Sequence, residues 1–173
     1  MPPTAADRFR TLAAALGVEV AVSEFPEGTR TALDAATAVG CHVDAIVKSL
    51  VFMADDRPVL ALTSGGNRVD ESRLAAAVGA TVVRKASADE ARAATGYAIG
   101  GTPPFAHTGE GVDHVLIDPA LLAHAQVWAA AGTPSSVFPI SPSRLASAAG
   151  ARTADVTTST ATSTATDTPR ADA

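Results

Sequence analysis

Ile46-Val47-Lys48-Ser49-Leu50-Val51-Phe52-Met53 is an apolar run with a single lysine set inside it. Its length and its Ile, Val and Phe content are those of a β-strand. Side chains on a strand alternate between faces, so Lys48 shares a face with Ile46, Leu50 and Phe52. Those neighbours define a core face, and an ammonium among them needs water, a partner or a ligand. Two readings follow. The lysine stem can lie on apolar surface while its head snorkels to the strand edge. Alternatively its charge serves a site, because burial shifts a lysine pKa readily and such lysines gather at functional positions.

The flanking sequence places this strand in a mixed fold. Asp55-Asp56-Arg57-Pro58 is a turn and Val59 to Thr63 a second strand, so the two form a hairpin. Before them, Ala6 to Leu16 reads as a helix stopped at Gly17, and Val18, Val20 and Val22 alternate as a strand. Thr31 opens a helix to Val39, with Ala32, Ala35, Ala36 and Val39 inward and Gly40 at its end. Ser64-Gly65-Gly66-Asn67 is a glycine loop, and Asp70 caps a helix that Gly79 stops. Thr81 to Arg84 is a short strand, and Ser87 with Glu90 forms a capping box for a helix ending near Gly96. Strands follow at Val112 to Ile117, Val127 to Ala130 and Val137 to Ile140, with a helical turn starting at Pro119. Ser141-Pro142 opens a last helix to Ala149. So many turn-linked strands predict an α+β fold: a mixed, largely antiparallel sheet, curled into a partial barrel with helices around it.

A second segment stands out for its punctuation: Gly96-Tyr97-Ala98-Ile99-Gly100-Gly101-Thr102-Pro103-Pro104-Phe105. Tyr97 to Ile99 reads as a short strand running into two glycines and two prolines. Glycine lets a backbone approach a ligand, and proline stiffens the segment. A tight turn between strands is one reading. A pre-organised loop that offers amide and carbonyl groups to a ligand is the other.

Composition narrows the function classes. The chain has 173 residues and a formal charge of −5, which argues against broad non-specific binding to a nucleic-acid backbone but not against contact with one end of it. The single cysteine, Cys41, allows no internal disulfide, points to a reducing compartment and reads as a small apolar filler. Met1 to Arg10 lacks an apolar signal segment, and no apolar run approaches the ~20 residues of a membrane span. A cytoplasmic protein is expected. His42, His107, His114 and His124 are scattered without metal-ligand spacing or a Ser-His-Asp pattern, so no metal or organic cofactor is expected. Only His107, just after the loop, could reach a site beside it; it reads first as a surface histidine and second as a catalytic one.

The lysine strand and the glycine–proline loop, taken with their spacing, resemble the YbaK/EbsC group of editing domains. That group includes free-standing aminoacyl-tRNA deacylases and the editing insertion of bacterial prolyl-tRNA synthetases. The matching residues are Thr31-Ala32 with Ala35-Ala36, Ile46 to Phe52, Gly66-Asn67-Arg68-Val69-Asp70 with Leu74, Gly96-Tyr97, Gly100 to Phe105, and Val115-Leu116-Ile117-Asp118. The resemblance covers about Phe9 to Val156. It implies one domain over residues 1–156 and hydrolysis of the ester of a mischarged tRNA, with tRNA for proline the first candidate. Lys48 would then be the catalytic residue. Gly100, Gly101, Thr102, Pro103 and Pro104 would lie against the aminoacyl end. Arg68 and Arg73, with Arg84 and Lys85, are the candidate tRNA contacts, though each also reads as a solvated end-of-element charge.

Partners implied are the aminoacyl-tRNA acceptor end and an aminoacyl-tRNA synthetase, with neither membrane nor DNA. Two departures bear on specificity. Ala129-Ala130-Ala131-Gly132-Thr133-Pro134 lacks the serine and arginine of the cysteinyl-tRNA deacylases, so the resemblance does not extend to that substrate. Ala106 follows Phe105 where glycine is common. A module that binds an aminoacyl or adenosine end without cleaving it is the alternative. A small-molecule esterase or phosphate binder ranks lower, because the Ser64 to Asn67 loop lacks a P-loop ending. Thr157 to Ala173, almost wholly Thr, Ser, Ala, Asp and Pro, is expected to be a disordered tail.

Overall fold

Among the residues described in the computed structural model, five α-helices are bounded by side-chain caps. The described residues are 1–29 and 31–159. Helix α1 spans Ala5–Ala15, α2 Ala32–Val39, α3 Glu71–Val78, α4 Ala88–Thr95 and α5 Pro142–Ala149. Thr31 accepts from the Asp34 amide and Asp34 reaches back to the Thr31 amide, satisfying two orphan donors reciprocally. Ser87 and Glu90 do the same for α4. Asp70 and Ser141 cap α3 and α5.

The strands are β1 Ser23–Glu24, β2 Val47–Ala54, β3 Arg57–Ser64, β4 Asn67–Val69, β5 Val83–Lys85, β6 His114–Ile117, β7 Val127–Ala130, β8 Ser136–Ile140, β9 Arg152–Thr153 and β10 Thr157–Ser159. A five-stranded sheet runs β5-β2-β3-β6-β9. Its β5–β2 and β2–β3 pairs are antiparallel, and β3–β6 and β6–β9 are parallel. A second sheet, β1-β8-β7, is antiparallel throughout. One parallel bridge, Ile46 to Trp128, joins the start of β2 to β7. It ties the two sheets together at one point, and the large sheet is not closed. The α+β, largely antiparallel architecture is thus the expected one, although the sheet does not close into a barrel.

Strand β2 is buried on both faces. Val47 and Val51 face the main core with Leu60, Leu62, Ile117 and Phe138. Phe52 and Ala54 face a smaller core with Val59, Ala61, Leu74 and Leu116. Phe9, Phe105 and Phe138 meet with ring centroids 5.0 to 5.9 Å apart. This cluster pins α1, the glycine–proline loop and β8 together.

Three expectations change. Val18, Val20 and Val22 pack against the main core but lie outside any strand; only Ser23–Glu24 pairs, with Val137 and Ser136. Tyr97 to Ile99 forms no strand, because Gly96 turns left-handed at φ 85° and the Thr95 hydroxyl takes the Tyr97 amide. Of the expected disordered tail, Thr157–Ser159 pairs with β4 as strand β10, while residues 160–173 lie outside the described residues.

Candidate active site

Between the Ile46–Trp128 bridge and the Phe52–Lys85 pair, one edge of β2 has no strand beside it among the described residues. A cleft of about 580 Å³ occupies this gap. Its walls include Lys48 and Ser49 from β2, Ala32 and Leu33 from α2, Lys85 from β5, and Gly100 and Thr102 from the loop. Trp128 to Ala130 close the far side. The Val51 carbonyl accepts from the Ala86 amide, so main-chain groups of odd-numbered residues point to this edge. Ser49 therefore turns its amide and carbonyl into the cleft.

Lys48 is half-buried on this wall and its ammonium donates to the Asn67 carbonyl. Burial pushes its pKa down, the charges of Arg68 and Lys85 push it the same way, and Asp118 opposes them. Thr63 stands opposite Lys48 on β3. It is wholly buried and its hydroxyl has no partner among the described residues.

Two glycines fix the approach of the walls. A Cβ on Gly65 would lie 2.4 Å from the Val43 carbonyl and 2.9 Å from Ala32, so the β3–β4 turn touches α2 only because it lacks a side chain. A Cβ on Gly101 would meet the Thr133 backbone at 2.8 Å. The glycine–proline loop is braced from behind. Thr102 donates to the Ala98 carbonyl at 3.1 Å, and Tyr97 to the Ala106 carbonyl at 3.2 Å. Ala106 itself adopts φ 63°, which explains why glycine suits that position.

The sequence candidates divide accordingly. Lys48, Gly100 and Thr102 line one cleft. Gly101, Pro103 and Pro104 are buried and lie outside its wall, shaping the loop rather than facing the space. His107 donates from Nε2 to the Pro103 carbonyl at 2.8 Å and braces the loop; burial lowers its pKa. Arg68 is exposed, and its charge helps to lower the pKa of Lys48. Arg73 is held by Asp70, Asp155 and the Thr157 carbonyl, and Arg84 makes a two-pronged bond to Glu90 at 2.8 Å. Neither resembles a free tRNA contact. Leu33, Ser49 and Trp128 were not legible as site residues, because only the sheet register and the α2 packing bring them to the cleft. Among the described residues no cluster of three metal-ligating side chains occurs, and no helix is long and apolar enough to cross a membrane.

Comparison with known proteins gives a consistent result. The family profile described as aminoacyl-tRNA editing domain matches residues 26–148. A solved structure described as a candidate trans-editing enzyme for prolyl-tRNA synthetase superposes with a TM-score of 0.84 at 39% identity, covering 91% of this chain and 99% of that one. Proline–tRNA ligase 1 of Anaeromyxobacter dehalogenans is 39% identical over 75 residues, which is 43% of this chain but 12% of the ligase. The protein YwhH of Bacillus subtilis is 31% identical over 127 residues, 72% of this chain and 78% of YwhH. The chain thus spans a small part of the ligase and most of YwhH.

Proposed function

This chain belongs to the family of aminoacyl-tRNA editing domains, and from that premise we propose that it is a trans-editing deacylase acting on mischarged tRNA, with tRNA for proline the first candidate. The observation that carries the reading is the meeting of Lys48 with Gly100 and Thr102 in one cleft. The solved structure matched over 99% of its length and the resemblance to proline–tRNA ligase support the choice of tRNA. The site of action is the cytoplasm, where charged tRNA is used.

An aminoacyl ester is already activated, so the protein need not supply a strong nucleophile. One water adds to the ester carbonyl, the tetrahedral oxyanion collapses, and the bond to the ribose oxygen breaks. The products are the free amino acid and the tRNA 3′ end with its hydroxyl restored. Charge develops first on the carbonyl oxygen and then on the leaving ribose oxygen. A cation on a partly dry wall stabilises both, and the Ser49 amide facing the cleft is positioned to donate to the same oxygen. Lys48 is the residue assigned to this electrostatic role. Gly100 and Thr102 border the aminoacyl group, and Gly101, Pro103 and Pro104 hold them in place. Arg68 and Lys85, both exposed beside Lys48, receive the terminal phosphates.

The test is release of labelled amino acid from a panel of misacylated tRNAs, beginning with tRNA for proline. Wild type is expected to release it, and Lys48→Ala to lower kcat by about 10²- to 10³-fold with its circular dichroism unchanged. Tight binding of charged tRNA with no turnover in wild type would favour the binding module instead and refute the deacylase reading.

A further inference from the structure

Asp118 is the only charged residue withdrawn from solvent among the described residues, at 2% exposure. A buried carboxylate is costly unless its charge is used or matched. Its oxygens accept from three neutral N–H groups: Ser64 at 3.1 Å, the Asn67 side chain at 2.8 Å and Ala120 at 2.9 Å. Among the described residues it forms no salt bridge.

The sheet register gives its place a meaning. Lys48 on β2 stands opposite Thr63 on β3. Leu62 pairs with Ile117, so Thr63 is level with Asp118 just beyond β6. Lys48, Thr63 and Asp118 therefore form one row across three strands on one face, about 5 Å between neighbours. Asn67 links the ends of the row: its carbonyl takes the Lys48 ammonium while its side-chain amide is held by Asp118.

We propose that Asp118 is a positioning residue which, through Asn67, holds the Lys48 ammonium at the cleft wall. The inference rests on the deacylase reading for its catalytic consequence, though not for the tether itself. The charged groups facing Lys48 are Arg68 from β4, Lys85 from β5 and Asp118 from the end of β6. The first two oppose its charge and only Asp118 favours it. A carboxylate that acted on Lys48 only through space would leave it unmoved in a variant that keeps Asp118 and loses the Asn67 side chain.

Asp118→Asn and Asn67→Ala separate these roles in the full-length chain. Two readouts apply: the pH profile of kcat on mischarged tRNA, and the pH profile of Lys48 acetylation by an activated ester, followed by peptide mass spectrometry. In Asp118→Asn, Lys48 is expected to become reactive at lower pH and the alkaline limb of kcat to move the same way. kcat is expected to fall about tenfold or more with KM within about twofold of wild type. In Asn67→Ala, kcat falls with KM spared. An acetylation profile in Asp118→Asn that overlays wild type overturns the inference, whether or not wild type deacylates anything. Should Asp118→Asn fail to fold, a wild-type kcat in Asn67→Ala overturns it alone. If wild type releases no amino acid, the deacylase reading fails, while an acetylation profile shifted in Asn67→Ala as well as in Asp118→Asn still upholds the tether, and a shift confined to Asp118→Asn overturns it.

Discussion

Lys48 carries a cost in the folded state that its function has to offset. Its pKa lies below the ordinary 10.5, chiefly through burial. Between that lowered value and 10.5 the unfolded chain binds more protons than the folded one, so stability rises with pH across this window. Lys48→Met has no such group. The stability of wild type relative to Lys48→Met is therefore expected to climb as pH approaches 10.5, measured as urea midpoints from pH 7 upward. A difference that stays flat over that range would contradict the assigned environment. At this scale the sequence was half legible. The alternation of one strand revealed Lys48 beside Ile46 and Phe52. Asp118 and Thr63 gave no comparable signal, because their approach to Lys48 depends on register with two other strands.

Elements were easier to read where local chemistry decides them. Thr31, Asp70, Ser87 and Ser141 cap four helices as expected, since a hydroxyl or carboxylate needs only its own next turn to act. Short strands were not, since their existence depends on a distant partner. Val18, Val20 and Val22 alternate like a strand and find none. Thr157–Ser159, in a segment that looks disordered by composition, finds β4. That closing strap buries Val156 at 1% exposure and takes the Arg73 guanidinium on the Thr157 carbonyl at 3.0 Å. Because β4 begins with Asn67, the strap also steadies the acceptor of the Lys48 ammonium. Removing residues 155–173 is expected to cost about 3 kcal/mol, from the apolar burial and hydrogen bonds lost. Amide exchange at Asn67 to Val69 should quicken with it. An unchanged denaturation midpoint would show the strap to be idle.

Across the whole molecule, charge is arranged rather than abundant. The chain carries a net −5, yet Lys48 and Lys85 line one cleft and the charge of Arg68 reaches Lys48. Affinity for an acceptor end should come from these few cations and weaken with salt. Two phosphate contacts, Arg68 and Lys85, at about −0.7 each on a single-stranded end predict a slope near −1.4 for log affinity against log salt. Measuring KM between about 50 and 200 mM salt checks it; a slope near zero would remove these residues from tRNA binding. The mixed architecture itself followed from the density of turns, whereas the bridge that ties the two sheets together did not, resting as it does on a contact between Ile46 and Trp128. That bridge has an optical consequence. Trp128 is the only tryptophan in the chain and sits in the cleft wall, so intrinsic fluorescence reports on that wall alone, and occupancy by an unlabelled nucleotide end can be followed from its emission.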